Sequence, residues 1–252
     1  MLNVIINGAL GKMGKVLIQS VEDNPGISLA GAVDKGAENL SEKPEWLYSS
    51  VSDIEGPVDA VVDFSRPEAL PELVGYCKEK GCALVLATTG YSDDELQMIN
   101  DASKDIAVFH SYNMSLGVNL MLSLVSQAAK ALSEFDIEIV EKHHNEKVDA
   151  PSGTAIMIAN AINEALENSM QMNYGRYGND CKRNEKEIGI HAVRGGTIVG
   201  EHTAIFAGKD EIVEVNHMAL SKKIFAEGAL KAAQFMSGKS SGYYNMQDLF
   251  KS

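Results

Sequence analysis

Short apolar runs and helical periodicities alternate through the first half of the chain. Leu2 to Ile6, Ile27 to Val33, Ala60 to Phe64, Ala83 to Ala87 and Ile106 to Phe109 read as short buried strands. Between them, Lys12 to Val21, a segment opening at Pro67, and about Asp93 to Lys104 carry helical spacing. Strands alternating with helices imply a parallel sheet with right-handed crossovers, hence an α/β doubly wound sheet. After Asn113 the pattern changes. An amphipathic helix from about Gly117 to Leu132 leads into a strand at Asp136 to Glu141, and a helix follows from about Thr154 to Glu167. Strand-like runs at Ile188 to Val193, Ile198 to Phe206 and Ile212 to Asn216 suggest an antiparallel sheet. The helix Ile224 to Met236 and the tail from Ser237 are expected to pack back on the first domain. The expected division is therefore 1–114 completed by 224–252, and 115–223. The polar stretch Met170 to Glu187 reads as a mobile loop.

Composition adds boundaries to this picture. The 252 residues suffice for one large or two modest domains, and no run approaches the roughly 18 apolar residues that span a bilayer. The N-terminal residues read as a strand and lack a basic and long apolar leader pattern, so a cytoplasmic location is expected. Cys77, Cys82 and Cys181 include no CxxC pair, and a disulfide framework is not indicated. The net charge of −13 repels nucleic acid and anionic membranes. An anionic ligand would have to be held by local donors.

Two such sets of donors stand out. The first strand runs into Gly8-Ala9-Leu10-Gly11-Lys12-Met13-Gly14, which opens a helix. Glycines there permit a tight turn and let backbone N–H groups approach a pyrophosphate, facing the positive end of the helix dipole. The spacing is GxxGxxG, not GxGxxG, and its position between strand and helix carries the dinucleotide reading against that of a structural turn. Asp34 lies about 20 residues beyond the last glycine, where an acid accepts from adenosine ribose hydroxyls. Lys35 could pair with a 2′-phosphate. The acid favours NADH and the lysine tolerates NADPH, against the alternative of a solvated charge pair. Ala87-Thr88-Thr89-Gly90 and Ser111-Tyr112-Asn113-Met114 follow the fourth and fifth strands, where open sheets bind ligands.

The second set lies in Glu138 to Ala155, which brings His143, His144, Lys147 and Ser152-Gly153-Thr154 together. Histidine titrates near neutrality and can carry a proton during reduction, and lysine supplies positive charge. Ser152 reads as an N-cap that leaves the Gly153 and Thr154 N–H groups for a carboxylate. A surface His-His pair with a simple turn and cap is the plainer alternative. A zinc site is a rival, because His191, His202 and His217 also exist, but their spacing matches no established ligand pattern. No metal is expected.

The segment Glu141 to Ala155 resembles the signature of the 4-hydroxy-tetrahydrodipicolinate reductase (dihydrodipicolinate reductase) family. Gly8 to Gly14, Ala87 to Gly90, Asn113 to Asn119 and Arg194 to Thr203 match it in order as well. The resemblance implies a Rossmann-type cofactor domain and a substrate and tetramerisation domain with a mostly four-stranded sheet. His143 would be the proton donor or acceptor and Lys147 its partner. His144, Gly153 and Thr154 would hold the carboxylates of a cyclic dicarboxylate substrate. Gly8, Ala9, Leu10, Gly11, Lys12, Met13, Asp34, Lys35, Ala87, Thr88, Thr89, Ser111, Tyr112, Asn113 and Met114 would bind NADH or NADPH. Lys12 and Lys35 stand where many members, or those favouring NADPH, carry arginine. The rivals are a neighbouring amino-acid dehydrogenase, such as one acting on aspartate, and a nucleotide-sensing regulator without turnover. A product-forming assay separates the three.

Overall fold

The computed structural model describes residues 1–251 and divides into two compact units. The first unit comprises residues 1–116 and the chain from Lys222 onward. It begins with β1 (Leu2–Asn7), α1 (Lys12–Glu22), β2 (Ile27–Val33), β3 (Leu47–Tyr48) and β4 (Ala60–Asp63). It continues through α2 (Leu70–Lys80), β5 (Ala83–Leu86), α3 (Asp93–Ala102) and β6 (Ala107–His110). Side chains alternate between the sheet faces, and both faces are covered. Val4 and Ile6 of β1 enter one core with Leu17, Val62, Val85 and Phe109, while Ile5 enters another with Val61, Leu84 and Val108. That double burial explains why these strands read as unbroken apolar runs. Helix α3 starts at a capping box between Ser92 and Glu95. Strand β3, only two residues long, carries too little alternation to be read from sequence.

The second unit spans Gly117–Ser221. Helix α4 (Leu116–Ala131) leads into it, followed by β7 (Asp136–His143), α5 (Gly153–Ala165), β8 (Gln171–Asn173), β9 (Glu187–Arg194), β10 (Gly200–Ala207) and β11 (Ile212–Ala219). Its sheet has five strands in the order β11-β10-β7-β9-β8. The sheet is mixed, which corrects the antiparallel expectation: β7 pairs with β9 and β8 with β9 in parallel, and only β10 is antiparallel to its two neighbours. The reason is connectivity, because α5 lies between β7 and β9 and returns the chain to its starting end, as a helical crossover does. The fifth strand, β8, lies in the segment read as a mobile loop. Two arginines tie that segment to the sheet. Arg176 reaches both Glu138 and Glu187, and Arg183 donates to Glu138 at 3.1 Å. Burial works to raise the Glu187 carboxyl, but the Arg176 guanidinium and other donors outweigh it and hold it at about 2.

The chain then completes the first unit with α6 (Lys223–Met236), β12 (Gly242–Tyr244) and α7 (Met246–Phe250). The seven-stranded sheet has the order β12-β6-β5-β4-β1-β2-β3, and every pairing in it is parallel. Among the described residues no helix is long and apolar enough to cross a membrane.

Candidate active site

In the first unit the strand ends converge on a cavity of about 530 Å³. Gly8 has φ +84°, and a Cβ there would stand 2.5 Å from the Phe64 carbonyl oxygen. A Cβ at Gly14 would stand 2.1 Å from the Gly8 carbonyl oxygen, so the helix start closes tightly on the turn. Helix α1 has no side-chain cap at Gly11 and no acid in its first turn, which leaves its N-terminal N–H groups to an outside anion. The Asp34 carboxylate accepts from the Leu10 N–H and the Gly36 N–H, both at 2.9 Å. It staples the glycine turn, and each oxygen keeps a second lone pair for a ribose hydroxyl. This set of groups fits a dinucleotide: bare helix N–H groups for pyrophosphate, an acid for ribose and exposed Lys35 beside it.

The second unit gathers side chains around the end of β7 and the start of α5. His143, 9 % exposed, closes β7, and its Nδ1 lies 2.7 Å from Glu141 Oε2. Arg194 at the end of β9 grips Glu141 with both terminal nitrogens at 2.7 Å and donates to the Asp149 carbonyl at 2.8 Å. Burial works to raise the Glu141 carboxyl, but Arg194, His143 and the Ser152 N–H together hold it below its ordinary value. Lys147 Nζ donates to both carboxylate oxygens of Asp149, at 2.7 and 2.8 Å. Ser152 caps α5 through the Ala155 N–H and lies 2.7 Å from His202 Nε2. Burial first, then the nearby His143, pushes His202 down to about 4, so it is neutral at physiological pH. Gly153 and Thr154 head α5, where N–H groups have no intrahelical acceptor, and a Cβ at Gly153 would meet nothing within 4 Å. Gly153 is thus exposed at the helix start. Among the described residues no group of three or more His, Cys, Asp or Glu is placed to hold a metal ion.

Two family models cover nearly the whole chain: "Dihydrodipicolinate reductase, N-terminus" matches residues 2–114 and "Dihydrodipicolinate reductase, C-terminus" residues 117–250. The chain belongs to the dihydrodipicolinate reductase family. A 4-hydroxy-tetrahydrodipicolinate reductase of Caldanaerobacter subterraneus subsp. tengcongensis is 50% identical over 251 residues, covering 100% of this chain and 99% of the relative. One from Clostridium novyi is 47% identical with the same coverage. A solved, dipicolinate-bound dihydrodipicolinate reductase from Paenisporosarcina sp. TG-14 superposes with TM-score 0.80 at 23% identity over 97% of both chains. An aspartate dehydrogenase from Thermotoga maritima, with TM-score 0.51 at 13% identity over 95% of this chain and 98% of its own, shares the fold. The N-terminal domain of the reductase family is its NAD(P)-binding domain.

Within this reductase chain, Gly8, Gly11, Asp34 and Lys35 line the first unit's cavity. Ala9 and Met114 are buried in the adjoining core, with Leu10 and Met13 packed against it, and Lys12 is exposed in the first turn of α1. Thr88 donates to the buried Asp63 at 2.7 Å, whereas Thr89 is exposed after half-buried Ala87. Ser111 donates to the Asn113 carbonyl at 2.8 Å, and Tyr112 is exposed. Neither of these two loops lines the cavity. Phe64, Ser65 and Arg66 do, and the sequence reading missed them although they follow a strand end just as the chosen loops do. It also missed Asp63, a fully buried carboxyl served by Asn7, Ser65 and Thr88; burial raises it above the usual aspartate range against those donors. In the second unit His143 is buried at the end of β7, His144 and Lys147 follow it half-buried, and exposed Gly153 and half-buried Thr154 begin α5. Arg194 was quoted only as part of a matching stretch and His202 there and as a rival zinc ligand, and nothing local in the sequence marks them as partners of Glu141 and Ser152.

Proposed function

We propose that this chain reduces (2S,4S)-4-hydroxy-2,3,4,5-tetrahydrodipicolinate to 2,3,4,5-tetrahydrodipicolinate with NADH or NADPH and loss of water, in diaminopimelate and lysine biosynthesis. The observation that carries the reading is the short run from the end of β7 to the start of α5, which holds a buried histidine, a lysine and a helix N-terminus in a chain half identical to named reductases. The cofactor supplies hydride, and the dehydration and reduction together consume one proton and release water. His143 carries that proton. Lys147 offers positive charge or a proton to the intermediate, exchanging Asp149 for the substrate. His144 and the N–H groups of Gly153 and Thr154 take the two carboxylates. Residues 1–114 with 224–252 serve the cofactor, and Gly8 to Met13, Asp34, Lys35, Ala87 to Thr89 and Ser111 to Met114 are its contacts. Residues 115–223 serve substrate and tetramer formation. The exposed Ile212, Val213 and Met218 of the edge strand β11 favour a homotetramer built on that sheet. The reading places the enzyme in the cytoplasm. Steady-state kinetics with freshly made substrate and each cofactor in turn test the activity. Turnover with both cofactors, NADH equal or better, is expected, and absence of product with either would defeat the reading.

A further inference from the structure

Glu141 has no exposed surface, yet it stands two residues before His143 on β7, on the same face of the strand. Its carboxylate is the meeting point of four nitrogens from three residues. Oε2 faces His143 Nδ1 and Arg194 Nη1, each at 2.7 Å; Oε1 faces Arg194 Nη2 at 2.7 Å and the Ser152 N–H at 3.0 Å. A carboxylate gripped bidentately by a guanidinium is ionised and can only accept. The proton on the edge of His143 that meets it is therefore carried by Nδ1, an assignment that follows from the partner. Nε2 is left to exchange protons elsewhere.

The backbone keeps that second nitrogen clear. A Cβ at position 200 would stand 3.0 Å from His143 Nε2, so glycine at the start of β10 preserves the space next to it. The neighbouring His202 ring, 5.2 Å away centroid to centroid, does not compete for Glu141, because its Nε2 is engaged by Ser152 Oγ. Arg194 has two further effects. It neutralises a carboxylate whose burial alone would be costly, and through the Asp149 carbonyl it anchors the loop that carries Lys147.

We propose that Glu141 is a positioning residue for the reduction: it locks His143 in the Nδ1–H form, fixes the ring, and presents Nε2 as the nitrogen that exchanges a proton with the substrate. This rests on the reading of His143 as proton carrier and goes one residue deeper. A glutamine at 141 could accept on one atom only, so at least two of the four donors would lose their acceptor.

The test uses the full chain with Glu141→Gln and His143→Ala, singly and together. Glu141→Gln is expected to lower kcat by about 10²-fold, the range of a well-placed proton carrier, with substrate KM moved less than about threefold. In the His143→Ala background the same substitution should cost nothing more in kcat, because residues acting as one unit are not additive. Losses that multiply in the double variant, or a Glu141→Gln enzyme with wild-type kcat beside a crippled His143→Ala enzyme, would overturn the proposal. Wild-type kcat in His143→Ala would instead defeat the underlying reading. Nitrogen NMR of histidine-labelled wild type, assigned by loss of the His143 signal in His143→Ala, needs no altered Glu141. The proton on Nδ1 of the neutral ring is expected, and the Nε2–H form would refute the proposal even if the glutamine variant did not fold.

Discussion

The glycine turn of the first unit and the β7–α5 loop of the second both offer donors to an anion, in a protein of net charge −13, but they are made of different material. The turn is backbone. Its geometry comes from Gly8 and Gly14, its donors are the N–H groups at the start of α1, and its one acid, Asp34, is spent partly on holding the Leu10 and Gly36 N–H groups. The loop is side chains. Its charges are arranged by a buried carboxylate, a bidentate arginine and paired histidines, contributed by β7, β9 and β10. A backbone site tolerates any side chain that leaves the turn alone and fails when a Cβ intrudes. A side-chain site tolerates small backbone changes and fails when one charge is lost. The two should therefore break in opposite ways.

The largest effect expected is on the side-chain site. Lys147→Ala should lower kcat by roughly 10²-fold or more while cofactor Kd stays put, because the lysine, paired with Asp149, is proposed to serve the chemical step and not the cofactor. Single-turnover rates alongside NADH fluorescence titration measure both, and a wild-type kcat would remove Lys147 from the mechanism. Next is the backbone site. Gly14→Ala drives a Cβ to within 2.1 Å of the Gly8 carbonyl and must open the turn. Cofactor Kd should rise about tenfold, equivalent to about 1.4 kcal/mol, for NADH and NADPH alike. An unchanged Kd would mean that the turn does not bear the pyrophosphate. The smallest effect sharpens the comparison inside the first unit. Lys35→Ala should weaken NADPH a few-fold and leave NADH unchanged, since the proposed partner of that ammonium is the 2′-phosphate alone. Equal shifts for both cofactors would contradict it.

This difference in material also explains what could be read from the sequence. Period and spacing report local structure, so the parallel α/β sheet, the turn at Gly8 to Gly14 and the loop from His143 to Thr154 were all legible. Contacts between distant strands leave no local mark. Arg194 meets Glu141 only because β9 lies beside β7, and His202 meets Ser152 only because β10 flanks β7 on the other side. The parallel pairing of β9 and the short strand β8 were misread for a related cause. Arg176 and Arg183 look like ordinary solvated charges in a polar stretch, and only Glu138 and Glu187 across the sheet turn them into anchors. Phe64 to Arg66 were within reach, since the rule applied to the other strand ends also covers β4.

The two units also differ in when they can exist. The second is drawn from one continuous stretch, Gly117–Ser221, and every strand of its sheet is present once residue 219 has been made. The first is closed by residues synthesised more than a hundred positions after β6. Its core waits for Ala226, Ala229, Leu230, Ala233 and Met236 of α6, and its seventh strand for Gly242–Tyr244. On a ribosome emitting roughly 5 to 20 residues per second, the half with the cofactor turn emerges first and is finished last. For several seconds β1 to β6 must stand with one face covered only in part, by α1, while the second unit assembles behind them.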